Sequence, residues 1–215
     1  MRLFCSMVTP VKNIIFDLGG VLINLNYQLT RKAFEDLGVE DFDAFYTQHA
    51  ANPLFENLEV GAIEPEAFYN QLREATGLTL SNSQIETAWN AMLLDFPAER
   101  LNWLSQIKNK YNIYLFSNTN AIHYNAFINI YRQIAPQLGL DINFEHFFKT
   151  AYYSHTLGQR KPEVAAFEAV IRDANLDPAQ TLFIDDTLLN IEGAQKAGLQ
   201  TLFLSGDLTV LDLGL

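Results

Sequence analysis

The sequence contains little cysteine, little basic charge and no long apolar run. A single cysteine among 215 residues excludes an intrachain disulfide and is typical of a reducing compartment. No apolar stretch approaches the roughly 18–20 residues that a membrane-spanning helix requires. Fourteen basic against 25 acidic residues give a net charge of −11, and such a field repels nucleic-acid backbones and anionic lipids. We therefore expect a cytoplasmic protein that binds neither nucleic acid nor membrane.

Five short apolar runs alternate with helical patterns along most of the chain. The runs are Asn13–Leu18, Asn112–Ser117, Thr150–Ser154, Thr181–Asp185 and Gln200–Leu204. Near-continuous apolar runs are typical of strands that are covered on both faces. The patterns Pro97–Lys110, Pro162–Asn175 and Asn190–Ala197 predict the helices between the later strands. The alternation predicts an α/β fold, a Rossmann-like three-layer core around a parallel sheet.

One stretch breaks this alternation, because residues 26–96 carry helical patterns and no convincing strand. Its clearest helix starts at Ser81 and Gln84, which have the spacing of a capping box, and apolar residues follow at helical spacing. We interpret the stretch as an all-helical cap inserted after the first strand. The predicted core then comprises residues 12–25 and 97–215, and the cap residues 26–96.

The chemistry-bearing residues stand where three predicted strands end, namely Asp17, Ser117-Asn118 and Asp185-Asp186, and Lys161 precedes a helix. Ligands of open parallel sheets bind beyond the carboxyl ends of the strands. Three carboxylates at one place repel one another unless a hard cation lies among them, and Mg²⁺ prefers carboxylates with phosphate oxygens. Carboxylate, hydroxyl and lysine around Mg²⁺ suit phosphoryl transfer.

Four segments resemble, in chain order, the motifs of the haloacid dehalogenase superfamily. They are FDLGGVLI at 16–23, FSNTN at 116–120, LGQRKPE at 157–163 and FIDDTLLNIEGA at 183–194. Their form is most similar to the clade of sugar-1-phosphate phosphatases and the phosphatase domain of soluble epoxide hydrolases. The resemblance extends over nearly the whole chain and implies that the helical insert is that family's cap.

The resemblance also implies a role for each carboxylate. Asp17 matches the nucleophile that forms an aspartyl-phosphate. Asp17 and Asp186 match metal ligands, together with the main-chain carbonyl of Gly19. Asp185 matches the neighbouring carboxylate that positions a water on the metal. We therefore expect Mg²⁺ as the cofactor.

The remaining matched residues face the phosphate. Ser117 and Asn118 match donors to phosphate oxygens, and Lys161 matches the cation that pairs with nucleophile and phosphate. We take Asp17, Lys161 and Ser117 as the catalytic residues. The resemblance thus predicts a phosphoric monoester hydrolase that acts on a small phosphorylated metabolite.

Gly19 departs from the family pattern, because most family phosphatases have an aspartate there as general acid. The absence of this aspartate argues against a phosphomutase. It favours an ester whose departing oxygen is a weak base, such as a sugar 1-phosphate. Two alternatives stay open: a metal-independent haloacid dehalogenase, and a catalytically weak phosphate-binding protein. The acid pair Asp185-Asp186 argues against the dehalogenase, which needs no metal.

Overall fold

The centre of the protein is a five-stranded sheet whose neighbouring strands all run parallel, in the order β3-β2-β1-β4-β5. The computed structural model describes residues 10–46 and 52–215. The strands are β1 (Asn13–Phe16), β2 (Asn112–Ser117), β3 (Ala151–Tyr153), β4 (Thr181–Asp185) and β5 (Gln200–Phe203). The α/β fold class is confirmed, and β2 and β4 have the predicted bounds.

Nine α-helices lie within the two described ranges. They are α1 (Tyr27–Asp36), α2 (Pro53–Glu59), α3 (Pro65–Thr76), α4 (Asn82–Asn90), α5 (Ala98–Ile107), α6 (Ala121–Ile134), α7 (Ser154–Leu157), α8 (Val164–Asp173) and α9 (Leu188–Lys196). None of these helices combines the length and the apolar character that crossing a bilayer requires. The proline of the third motif, Pro162, lies two residues before α8 rather than in its first turn, because it belongs to the preceding turn.

The sheet separates two apolar layers, because successive side chains of a strand point to opposite faces. Ile14 and Phe16 pack in one layer with Leu101 of α5. Ile15 packs in the other layer with Phe167 of α8 and other side chains of α8 and α9. The central strands are buried on both faces, as expected, whereas β5 at the edge is only partly buried. The rigid sheet thereby holds the strand ends in fixed relative positions.

The helices α1–α4, together with Ile122 of α6, surround a further apolar cluster that includes Trp89. The Trp89 ring lies 4.9 Å from that of Phe55, and Phe55 lies 5.1 Å from Phe68. The predicted capping box at Ser81 is present, with both of its hydrogen bonds to Gln84. Within 26–46 and 52–96 there is no strand, as the sequence predicts.

His123 connects this cluster to α6, the helix that follows β2 and carries the histidine. Its ring stacks on Trp89 at 4.4 Å, its Nε2 lies 3.0 Å from the Trp89 carbonyl, and its Nδ1 lies 3.3 Å from Asn120 Nδ2. A neutral imidazole satisfies both contacts, since one nitrogen donates to the carbonyl and the other accepts from the amide. Burial accordingly lowers the pKa of His123 to about 4.

This histidine should make stability depend on pH. In the unfolded chain it takes up a proton near pH 6.5, whereas the folded chain resists protonation down to about pH 4. The contribution of neutral His123 to the free energy of unfolding is therefore fully present above pH 6.5. As the pH falls towards 4, this free energy decreases by about 3 kcal/mol. Urea unfolding across this range should show a smaller pH dependence for His123→Gln than for wild type. Identical pH dependence in both proteins would contradict the assignment.

Candidate active site

The carboxyl ends of three strands meet at one edge of the sheet, where the predicted residues lie. Phe16 pairs with Leu115 of β2 and with Ile184 of β4, so the ends of these strands are level. Asp17 follows β1, and its N–H donates to the Ile184 carbonyl at 2.9 Å. Ser117 and Asp185 are the last residues of β2 and β4. The sequence-predicted residues of three motifs are thus brought together.

Lys161 is buried between two of the carboxylates. Its Nζ donates to Asp17 Oδ1 at 2.6 Å and to Asp185 Oδ2 at 2.8 Å, and the side chain is 1% exposed. Burial opposes its charge, but attraction to the two carboxylates outweighs burial and raises the pKa of Lys161. The lysine is therefore a fixed cation beside Asp17, held by charge-assisted hydrogen bonds.

The side chain of Asn118 holds the backbone of Lys161. Its Nδ2 donates to the Lys161 carbonyl at 2.8 Å, and its Oδ1 accepts from the Lys161 N–H at 2.9 Å. The Asn118 side chain therefore fixes the position of the loop that carries Lys161. Ser117 Oγ is buried and lies 3.4 Å from the Asn118 carbonyl, its one hydrogen bond within the described chain.

The two adjacent aspartates have different surroundings. Asp185 is fully buried, and its oxygens accept from Lys161, from the Thr187 N–H at 2.7 Å and from Asn190 Nδ2 at 3.0 Å. Asp186 has one weak contact among the described residues, from Thr187 Oγ1 at 3.4 Å. Asp186 is therefore free to bind a cation, whereas Asp185 holds the lysine.

The donor set fits a hard divalent cation. Asp17, Asp185 and Asp186 each offer an oxygen within 4.8 Å of the others. Burial raises the pKa of Asp17 to about 7, with attraction by Lys161 opposing and repulsion by the two other acids adding to it. Burial and repulsion by Asp185 raise the pKa of Asp186 to about 6. One lysine does not neutralise three carboxylates, and an oxygen-binding cation such as Mg²⁺ would.

Gly20 leaves room for the Asp186 carboxylate. Its φ is +71°, in the left-handed region, and a Cβ at this position would overlap Asp186 Oδ2. Gly139 offers a matched control, because its φ is +67° and nothing lies within 4 Å of its Cβ position. Alanine would therefore be strained at either position, and the two positions differ in the contact with Asp186.

If Asp186 is a Mg²⁺ ligand, as the sequence predicts, Gly20→Ala should lower Mg²⁺ affinity at least about 10-fold, since the new methyl group displaces its carboxylate. Gly139→Ala should lose a similar amount of stability, about 1 kcal/mol, and keep its Mg²⁺ affinity. Calorimetric titration of both variants with Mg²⁺ measures the difference. Equal affinity in the two variants would rule out Asp186 as a ligand.

The cavity above these groups has a volume of about 100 Å³ and contains residues that the sequence did not single out. Tyr27, Tyr46 and Glu59 line it from the segment after β1, and Arg160 lines it beside Lys161. Asn190, which contacts Asp185, also lines it. Tyr27, Tyr46 and Glu59 lie outside any sequence pattern that identifies a site, whereas Arg160 lies in the third motif and was given no role there.

The model of one protein family matches this chain over residues 11–198, and its description is haloacid dehalogenase-like hydrolase. The chain belongs to the haloacid dehalogenase-like hydrolase family. The family expected from the four motifs is confirmed, and with it the expectation that the protein is a hydrolytic enzyme.

Two relatives of this haloacid dehalogenase-like hydrolase are phosphatases by name. D-ribitol-5-phosphate phosphatase of Bacteroides thetaiotaomicron is 29% identical over 194 residues, covering 89% of this chain and 90% of the relative. A sesquiterpene phosphatase of Aspergillus oryzae is 28% identical over 204 residues, covering 94% of each protein.

A solved structure of a haloacid dehalogenase family enzyme from Bacteroides thetaiotaomicron is also similar. It is 33% identical, its TM-score is 0.81, and the match covers 95% of this chain and all of the other. That enzyme was crystallised with magnesium and inorganic phosphate. Magnesium, the cofactor expected from the sequence, is thus the ion in this neighbour.

Proposed function

We propose that this hydrolase is a Mg²⁺-dependent phosphatase that cleaves phosphate monoesters of small metabolites. The observation that carries the proposal is the buried arrangement of Asp17, Lys161 and Asp185 with Asp186 beside it. The buried ammonium 2.6 Å from Asp17 opposes the rise that burial causes in the pKa of this carboxyl group, and Asp17 lines the cavity. Such a carboxylate can serve as a nucleophile towards phosphorus.

In the proposed first step, a carboxylate oxygen of Asp17 attacks phosphorus, the bond from phosphorus to the alcohol oxygen breaks, and the departing oxygen takes a proton from water. In the second step water attacks the aspartyl-phosphate, which releases inorganic phosphate and regenerates Asp17. Lys161 neutralises charge on Asp17 and on the phosphoryl oxygens. Ser117 Oγ and the main chain of Asn118 are the proposed donors to those oxygens.

Asp17, Asp186 and the main-chain carbonyl of Gly19 are the proposed holders of Mg²⁺. When bound, the ion would offset the charge of the carboxylates and of the phosphate. Asp185, itself fixed by Asn190 and Lys161, would orient water at the site.

The domain division and the location belong to the same proposal. We propose that residues 26–96 form a cap over a core of residues 12–25 and 97–215, supported by the separate apolar cluster of α1–α4. We also propose a cytoplasmic location, on the ground that the sequence contains a single cysteine.

A sugar 1-phosphate is the favoured substrate, because Gly19 offers no acid to protonate a strongly basic leaving group. The named substrate of the ribitol-5-phosphate phosphatase is an ester of a primary alcohol, which leaves as a stronger base. Both ester types are therefore included in the test below.

The deciding experiment compares phenyl phosphate, glucose 1-phosphate, ribitol 5-phosphate and a haloacid, each with Mg²⁺ and with EDTA. We expect Mg²⁺-dependent phosphate release and no chloride release. Metal-independent chloride release would establish the dehalogenase alternative. Phosphate binding without turnover of any ester would establish a binding protein.

A variant tests the effect of the missing acid. A Cβ at Gly19 would lie 2.5 Å from Leu25 Cδ1, the far end of a flexible side chain, so Gly19→Asp is best combined with Leu25→Ala. We expect the double variant to gain about 10²-fold or more on the most basic leaving groups. Across substituted phenyl phosphates, log kcat/KM should fall as the leaving-group pKa rises, and the fall should be steeper in the Leu25→Ala control than in the double variant. A flat dependence in that control would mean that another group already protonates the leaving oxygen.

A further inference from the structure

An ion pair in the cavity wall links α2 to the loop that carries Lys161. Glu59, the last residue of α2, is 5% exposed, and its Oε2 lies 3.1 Å from Arg160 Nη2. Arg160 Nη1 lies 3.2 Å from Glu56 Oε1, at a more exposed position of the same helix. Both Glu59 and Arg160 line the cavity that contains Asp17.

Two buried atoms of this pair lack hydrogen bonds. Among the described residues, neither Glu59 Oε2 nor Arg160 Nε has a hydrogen-bond partner, although both atoms are inaccessible. The 3.1 Å contact to Nη2 is an ion pair without hydrogen-bond geometry. A buried donor or acceptor without a partner costs about 1–3 kcal/mol, and more when it is charged. An unused acceptor and an unused donor therefore lie side by side in the wall of the site.

The same cavity is lined by the catalytic carboxylates, by this pair and by Tyr27. Burial and the negative charges of Asp186, Asp17 and Glu59 together raise the pKa of Tyr27 above its usual value. Lys161 lines this cavity too, so the rest of a ligand whose phosphate contacts Lys161 shares the cavity with Tyr27, Glu59 and Arg160.

The charge of the pair limits what it can recognise. Arg160 faces two glutamates, so this end of the cavity presents no excess positive charge for a second phosphate or a carboxylate. A neutral hydroxyl group both donates and accepts, and it matches an acceptor next to a donor. An apolar prenyl chain would leave both buried atoms without partners.

We propose that Glu59 and Arg160 determine specificity by binding hydroxyl groups of a sugar or polyol phosphate. When the substrate binds, the two side chains turn and expose these atoms to the cavity, so that a hydroxyl donates to Glu59 Oε2 and the same or a neighbouring hydroxyl accepts from Arg160 Nε. This inference rests on the proposed phosphatase function and adds the substrate class and the residues that select it. A site built to hydrogen-bond a hydroxyl rejects analogues without one far more strongly than an apolar pocket rejects an added group.

The test uses the ratio of kcat/KM for ribitol 5-phosphate or glucose 1-phosphate to kcat/KM for phenyl phosphate, which has no hydroxyl. Glu59→Gln keeps the size of the side chain and removes the charged acceptor. We expect this ratio to fall about 10–100-fold for the better hydroxylated substrate, mainly through KM. Glu56→Gln is the matched control, since it removes the other carboxylate on Arg160, and it should keep the wild-type ratio.

Arg160→Lys is the second variant, because it keeps the charge and removes the Nε donor. It also should lower the ratio, and it decides the matter if thermal unfolding shows that Glu59→Gln does not fold. Equal losses on all substrates, or the same fall in Glu56→Gln, would overturn the inference. Wild-type enzyme that fails to hydrolyse even phenyl phosphate would instead overturn the proposed phosphatase function.

Discussion

Asp17→Asn should abolish the hydrolysis of phosphate esters, with kcat reduced by more than about 10⁴-fold. The amide keeps the shape of the side chain but cannot attack phosphorus, and it also removes one proposed Mg²⁺ ligand. The fold should survive, because the variant removes one of three repelling carboxylates and leaves the bond from Lys161 to Asp185 in place.

Phosphate release from phenyl phosphate measures this effect. Asp36→Asn is the control, since Asp36 is an exposed partner of Lys32 on α1 and its substitution should leave turnover unchanged. Circular dichroism of both variants checks that they are folded. Turnover of Asp17→Asn within about tenfold of wild type would be incompatible with a nucleophilic Asp17.

Lys161→Met should lower both stability and turnover. Without the ammonium, Asp17 and Asp185 are buried beside each other with no counter-charge, and breaking a buried ion pair on one side costs about 3–5 kcal/mol. Loss of the cation beside the phosphoryl group should also reduce kcat by about 10²–10³-fold. Urea unfolding and phenyl phosphate turnover measure the two effects.

A second substitution separates the loss of stability in Lys161→Met from its loss of turnover. Lys161→Met combined with Asp185→Asn removes one of the two uncompensated charges, so it should recover part of the lost stability while turnover stays low. Lys32→Met, at a side chain that is 71% exposed, controls for the loss of a lysine and should change stability by less than about 0.5 kcal/mol. Undiminished stability of the single variant would contradict the charge arrangement at Lys161.

The sheet could be predicted because its strands are local patterns. The runs Asn112–Ser117 and Thr181–Asp185 are bounded by polar residues, and the structure places β2 and β4 there without a shift. The end of a buried parallel strand also indicates where ligands bind. For this reason Asp17, Ser117 and Asp185 could be named as site residues before any distance was known.

Edges and helix starts were less predictable. The run Gln200–Leu204 resembles a covered strand, yet β5 ends at Phe203 and is only partly buried, because an edge strand has a neighbour on one side alone. Helix α6 begins at Ala121, with three residues between it and the end of β2, and no pattern in the sequence analysis predicts it. Its capping residue Asn120 lies within the second motif, in which the sequence assigns roles to Ser117 and Asn118 alone.

By itself, the sequence determined the α/β class, the family and the residues that stand at the strand ends, since each depends on residue type and local order. Only the tertiary structure decided how those residues share their hydrogen bonds. Lys161 meets Asp17 across 144 residues of chain, and Asn118 uses its side chain on the lysine loop. Glu59 and Arg160 likewise meet only in the folded chain. Distances between such remote residues depend on the packing of whole elements, and no local pattern in the sequence encodes them.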